Sequence, residues 1–250
     1  MLREPARILN KRFEREPSKE TGYKQFCGIF DLVYKVAGQE TRTFSREDVR
    51  NGFECLFSSM GCKIWWIIHD KDEYNGELKI AHVHFVLDFH RKRRWNVAFR
   101  EICECFGLPH EVDAFDAAGE AVMEDGKQKK VLNPWLTFSA CCSPIGAIRY
   151  LVHADDHDKH QYPFSDVVTN DLAMAKMAML CESGALTSDV IANLVWECRG
   201  NVRNICCLMG LDYFSKYNAV IRMLVTQYRY ENDGAVCSPT DKEDYSPLIV

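Results

Sequence analysis

Ile80-Ala81-His82-Val83-His84-Phe85-Val86-Leu87 is an apolar run that carries two histidines on alternate positions. In a β-strand, successive side chains point to opposite faces. Ala81, Val83, Phe85 and Leu87 then fill one face, while His82 and His84 share the other. Their Cα atoms would lie roughly 6.6 Å apart, a spacing from which two imidazoles converge on one metal ion. His69-Asp70-Lys71-Asp72 ends a second apolar run, Lys63-Ile64-Trp65-Trp66-Ile67-Ile68-His69, which reads as a strand buried on both faces. Asn75-Gly76 supplies a turn between the two runs, so they form a hairpin with a long loop. That pairing brings His69 and Asp72 towards His82 and His84. The result is a small open metal site of the kind that works on phosphates.

The surrounding elements follow from local signals. Phe26–Tyr34 reads as a strand. Ser45 is an N-cap with Glu47 and Asp48 in the first turn of a helix that runs through Val49, Phe53, Leu56 and Phe57 and stops at Gly61. Trp95–Phe106 reads as a helix with Val97, Ile102, Cys105 and Phe106 as its buried stripe and Gly107 past its end. Val112–Phe115 and Trp135–Phe138 are short strands. Ser143-Pro144 starts a further helix that continues to about Ala154, and Tyr150 shares a stripe with His153 or Ala154, and with His157 where the helix extends that far. Strands and helices with hairpin connections predict an α+β sandwich, an antiparallel sheet packed by helices.

The 250 residues are 47% hydrophobic and 27% charged, the balance of an ordinary globular protein. No apolar run has the length of a membrane span, and the N-terminus lacks the apolar core of a signal peptide. The expectation is a cytoplasmic protein with no membrane partner. The 12 cysteines contain no Cys-x-x-Cys, so they read as reduced buried thiols rather than zinc ligands. The net charge of −5 excludes a general basic coat. Charge is uneven: Arg91-Lys92-Arg93-Arg94 forms a basic cluster after the histidine strand, and Lys127, Lys129 and Lys130 form another. Such runs are ordinarily solvated loops, but next to a metal site the first is a candidate for phosphate contact.

Four segments emerge: a polar, loosely wrapped N-terminal extension (1–22), a mixed domain (23–170), a helical segment (171–231) punctuated at Gly184, Gly200 and Gly210, and an acidic tail (232–250). Residues 231–250 carry five acids and one lysine, and this tail is expected to be disordered.

The run Ile67-Ile68-His69-Asp70-Lys71-Asp72, then His82-Val83-His84-Phe85-Val86-Leu87, resembles the plasmid rolling-circle replication initiators of the streptococcal type, within the His-hydrophobic-His (HUH) endonucleases. Ala147-Ile148-Arg149-Tyr150-Leu151-Val152-His153, followed by Lys159-His160-Gln161-Tyr162-Pro163-Phe164-Ser165-Asp166-Val167, is similar to that family's tyrosine motif and the segment after it. The resemblance spans about residues 25–170. It implies a five-stranded antiparallel sheet with the histidine strand central and the tyrosine helix beside it. It implies that His69, Asp72, His82 and His84 hold Mn²⁺ or Mg²⁺, with Asp70 close to Asp72, and that Tyr150 is the nucleophile. The activity implied is nicking of one DNA strand through a 5′-phosphotyrosine, leaving a 3′-hydroxyl primer.

A phenol of pKa near 10 needs a metal or a local cation to react at neutral pH. Arg91, Lys92, Arg93, Arg94 and Arg149 are candidates for DNA contact. The partners implied are origin DNA, single-stranded, extruded or double-stranded, and a host polymerase and helicase, since the chain has no P-loop. The helical segment is open to self-association or DNA binding. Related nickases (a transposase or relaxase) and a non-enzymatic origin-binding repressor are the alternative readings. Residues 110–142 match no motif of the family.

Overall fold

A computed structural model describes residues 10–18, 21–181 and 186–233. Gly184 and the tail from residue 234 lie outside the described residues. The chain divides into two compact units, residues 1–171 and 172–250.

The first unit is built on a sheet whose strands all pair antiparallel. In chain order these are β1 (Glu14–Arg15), β2 (Gly22–Asp31), β3 (Cys62–His69), β4 (His82–Arg94), β5 (Leu136–Cys141) and β6 (Val168–Thr169). Across the sheet the order is β1-β5-β2-β4-β3-β6. The histidine strand β4 is therefore interior, flanked by β2 and β3. Three helices accompany the sheet: α1 (Arg46–Met60), α2 (Trp95–Cys105) and α3 (Pro144–Leu151).

Period-2 alternation separates the two faces. Val83, Phe85 and Leu87 of β4 lie level with Phe30, Gly28 and Phe26 of β2 and with Ile68, Trp66 and Ile64 of β3. This face carries the main aromatic and aliphatic core, closed by Val49, Phe53 and Leu56 of α1 and by Ala98, Phe99, Ile102 and Cys103 of α2. The opposite face presents His82 and His84 with Ile67 and His69, and α3 packs there.

Local signals explain the element ends. Ser45 and Asp48 form a capping box, with Asp48 N–H donating to Ser45 Oγ at 3.1 Å and Ser45 N–H donating to Asp48 Oδ2 at 2.8 Å. Gly61 closes α1 at φ 62°, a left-handed conformation that glycine adopts without a Cβ penalty. Asn75 (φ 54°) and Gly76 (φ 81°) turn a small ribbon, Glu73–Tyr74 with Glu77–Leu78, inside the loop between β3 and β4.

Several expectations are corrected. The sheet has six strands, not five, because two short edge strands join it. One comes from the segment read as a loose extension: Glu14 pairs with Cys141 and Arg15 with Ala140. Phe13 and Glu14 are both 4% exposed, so two residues anchor an otherwise polar stretch too short to show periodicity. Of the expected stripe of α2, Ile102 and Phe106 are buried while Val97 and Cys105 are half-buried, and Ala98, Phe99 and Cys103 are buried as well. Val112 lies in Glu111–Asp113, which pairs with Lys130–Leu132 in a separate ribbon rather than in the main sheet. The helix α3 stops at Leu151, short of Ala154.

The second unit has four helices among its described residues: α4 (Leu172–Leu180), α5 (Ser188–Glu197), α6 (Val202–Met209) and α7 (Leu211–Asp233). Thr187 and Asn201 cap α5 and α6 through their side-chain oxygens. Val190, Ile191, Leu194 and Val195 of α5 and Ile221 and Val225 of α7 are buried within it. No helix among the described residues is long and apolar enough to cross a membrane.

Gly28 tests the packing of the sheet. A Cβ there would lie 2.4 Å from Phe85 Cζ and 2.7 Å from the Thr137 carbonyl oxygen. Because one of these is backbone, the strands must separate. Gly28→Ala is expected to lower stability by about 1–3 kcal/mol, seen as a lower urea midpoint at unchanged slope.

Candidate metal centre

Register decides the site. In the pairing of β3 with β4, His69 lies directly opposite His82, and His84 is two residues further along on the same face. Asp72 sits just past the end of β3, and the buried ligand atoms of His69, Asp72, His82 and His84 all lie within 4.8 Å of one another. Asp70 is exposed, so Asp72 is the carboxylate that joins the histidines.

Backbone carbonyls orient the rings. His69 Nε2 donates to the Leu151 carbonyl at 2.7 Å, and His82 Nδ1 donates to the Ile80 carbonyl at 2.8 Å. A carbonyl can only accept, so these nitrogens carry the protons and the other ring nitrogens face inward. His69 Nδ1 then lies 3.2 Å from Asp72 Oδ2, and His82 Nε2 lies 3.5 Å from the same oxygen. With both rings neutral, two nitrogen lone pairs and a carboxylate oxygen face one another with no proton between them. Only extra protons or a cation can occupy that space without repulsion. Burial opposes the charge of Asp72, but when His69 and His82 carry a proton towards it their hydrogen bonds outweigh burial and hold the carboxyl well below the usual carboxylate range. Three imidazoles and one carboxylate form a group that could hold a divalent metal ion.

A second layer supports these ligands. The Tyr162 hydroxyl donates to Asp72 Oδ1 at 3.2 Å and accepts from Lys71 N–H at 2.8 Å. Its ring stacks on His69 with centroids 4.3 Å apart and planes 4° off parallel. Burial first, and then the neighbouring Asp72, push the Tyr162 phenol up, so it stays a donor.

The end of α3 turns His153 into the cluster. His153 N–H donates to the Tyr150 carbonyl and Ala154 N–H to the Arg149 carbonyl, both at 3.1 Å. This is a Schellman closure with His153 at φ 57° where glycine is usual. A side chain in this region costs roughly 1–2 kcal/mol, a strain found where function holds a residue in place. The buried ring lies 4.5 Å from that of His69, and its Nδ1 donates to the His160 carbonyl at 2.7 Å. Its Nε2 has no hydrogen-bond partner among the described residues. Burial pushes this imidazole down to about 4, so it is neutral at neutral pH.

Tyr150 stands at the rim of the same face. Its ring centroid is 5.5 Å from that of His84 and 5.0 Å from that of Phe13. Its hydroxyl accepts from Lys159 Nζ at 2.7 Å, and Asp156 Oδ2 lies 3.1 Å from the same ammonium. Burial works against the charge of Lys159, but these two partners outweigh it and raise its pKa, so it remains a cation.

The basic residues are not brought to this site. Arg91–Arg94 continue β4 instead of forming a loop after it. Arg91 is seven residues from His84, roughly 23 Å along an extended strand. Arg91, Lys92 and Arg94 are exposed at that far end, and Arg93 is half-buried. Arg149 is 7% exposed, and its guanidinium is gripped by the Asp155 carboxylate through Nε and Nη2 rather than facing solvent. Sequence reasoning missed Lys159 and Tyr162 as site residues and left His153 without a role. Each lies in or beside a loop, where no periodicity marks the direction of a side chain.

No protein-family model matches the chain. No curated protein matches it either.

Two outcomes are expected. Metal-stripped protein titrated with Mn²⁺ binds one ion by calorimetry. His82→Ala and His84→Ala each weaken it by at least about 10- to 100-fold. Second, His153 binds a proton near its ordinary 6.5 when unfolded but only near 4 when folded. Between those values the unfolded chain holds more protons, so metal-free stability is complete above about pH 6.5 and falls by up to roughly 3 kcal/mol on acidification towards 4. His153→Asn, which tolerates the left-handed backbone and takes up no proton, flattens that part of the pH profile in urea unfolding.

Proposed function

We propose that the first unit is a divalent-metal-dependent DNA nickase and strand transferase of the His-hydrophobic-His class, serving as a plasmid rolling-circle initiator. The observation that carries this reading is the juxtaposition of a tyrosine hydroxyl, held by a lysine ammonium, with a buried His-Asp-His-His group on one face of an antiparallel sheet. A structural metal site has no need of a phenol at its rim.

In this mechanism Tyr150 Oη attacks the scissile phosphorus. A Tyr–O–P bond forms, the P–O3′ bond breaks, and the departing 3′-oxygen takes a proton to become the primer hydroxyl. Lys159 donates to Oη, setting a positive charge beside the oxygen that attacks as its proton leaves. Asp156 and the ring of Phe13 keep the lysine and the tyrosine in place. A divalent ion, Mn²⁺ or Mg²⁺, held by His69, Asp72, His82 and His84, would neutralise charge on the phosphate and polarise phosphorus. Tyr162 fixes Asp72, and the Leu151 and Ile80 carbonyls fix the imidazoles. The phosphotyrosine conserves the bond energy, so a later attack by a free 3′-hydroxyl reverses the step and rejoins the strand. The substrate is single-stranded or extruded DNA, because a backbone phosphate must reach Oη in line. The exposed Arg91, Lys92 and Arg94 would contact DNA away from the scissile phosphate.

The test is a covalent adduct. Incubation with Mn²⁺ and a pool of single-stranded oligonucleotides should yield a DNA-linked peptide containing Tyr150 by mass spectrometry, absent in Tyr150→Phe and without metal. Lys159→Met removes a hydrogen bond worth about 1.5–3 kcal/mol and slows adduct formation ~10- to 100-fold. An adduct on another residue would overturn the assignment of the nucleophile. Metal binding without any adduct would favour an origin-binding role.

A further inference from the structure

The cysteines find no place in the metal centre, yet two of them are brought together elsewhere. Cys55 lies in α1 and Cys105 is the last residue of α2, 50 positions later in the chain. Their sulfurs are 2.8 Å apart. Cys55 is exposed, Cys105 is half-buried, and both thiols are free. Ser59 Oγ lies 4.0 Å from Cys105 Sγ. Cys27, Cys62, Cys103, Cys141, Cys181 and Cys198 are buried, so a reagent has little approach to them, and Cys206 and Cys207 are consecutive helical residues whose side chains diverge.

We propose that Cys55 and Cys105 form a dithiol site that closes to a disulfide when it meets a low-molecular-weight disulfide such as oxidised glutathione. Cys55, the more accessible sulfur, attacks first as thiolate. Its bond to one glutathione sulfur forms as the glutathione S–S bond breaks, releasing one glutathione thiolate that takes a proton. Cys105 then loses its proton and attacks Cys55 Sγ, expelling the second glutathione. Two protein thiols become one disulfide, and the oxidant is reduced to two thiols. The sulfurs need to approach by less than an ångström to reach the roughly 2.05 Å of an S–S bond. Burial, with Cys55 alongside, pushes the Cys105 thiol up to about 12, which slows its ionisation; the second step is intramolecular, and proximity to Cys55 Sγ offsets that handicap.

The position of the pair predicts its effect. Both helices close the aromatic core on the face of the sheet opposite the histidines. A bond between them tethers α1 to α2 and leaves the metal ligands untouched. This inference stands independently of the nickase reading.

The full chain is incubated with oxidised glutathione under native conditions, alkylated, digested and analysed by mass spectrometry. The expected result is a Cys55–Cys105 linked peptide that accumulates before any other cysteine pair and disappears with dithiothreitol. The oxidised protein melts at a higher temperature with unchanged Mn²⁺ affinity. Cys105→Ser stops at the mixed disulfide, with glutathione retained on Cys55. Cys55→Ser, an exposed position that leaves the fold intact, forms no disulfide at Cys105. Stable glutathionylation of Cys55 in the unaltered chain, a bond from Cys55 to any other cysteine, or no oxidation of either residue would overturn the proposal.

Discussion

The register between β3 and β4 is the constraint on which the site depends. His69 and His82 are a directly opposed cross-strand pair, and His84 follows on the same face. A slip of β4 by one residue would send His82 and His84 into the aromatic core and bring Val83 out to α3, parting them from His69. Such a slip is opposed from the other face. Phe85 packs against Gly28, where no side chain fits, and Phe53 of α1 lies 5.5 Å from the Phe85 ring and 5.6 Å from Trp66. The apolar face thus holds the polar face in place, and the core acts as the alignment device for the candidate metal ligands.

Electrostatics then turns an alignment into a site. Three buried imidazoles and a buried carboxylate would be an expensive arrangement if their lone pairs met without a cation. The carbonyls of Leu151 and Ile80 nevertheless turn the unprotonated nitrogens inward. Leu151 belongs to α3, so the helix that carries Tyr150 also orients His69. The left-handed turn at His153 ends that helix early and folds the following loop back over the cluster, delivering Lys159 to Tyr150 and Tyr162 to Asp72. One helix terminus therefore couples the ligands to the candidate nucleophile.

The histidine pair, its facing and its partner strand were legible in the sequence because they rest on the two-residue period of a strand and on an Asn-Gly turn. The caps at Ser45 and Ser143 and the stop at Gly61 were legible for the same local reason. The stripe of α2 was legible at Ile102 and Phe106 and misplaced at Val97 and Cys105, which are as apolar as the residues that are buried. The edge strand at Glu14–Arg15 left no periodic trace in two residues.

The sequence by itself determined what depends on neighbours in the chain: the α+β pattern, the strand that presents His82 and His84 together, and the presence of His69 and a carboxylate beside it. Only the tertiary structure decided what depends on residues far apart. It chose Asp72 over Asp70, engaged Arg149 with Asp155, carried Arg91–Arg94 away to the far end of β4, and brought Lys159, Tyr162 and His153 in from the loop after α3. Hydrogen bonds from side chains to distant backbone, and the direction in which a loop returns, have no period along the chain. They are set by the packing of α3 on the sheet.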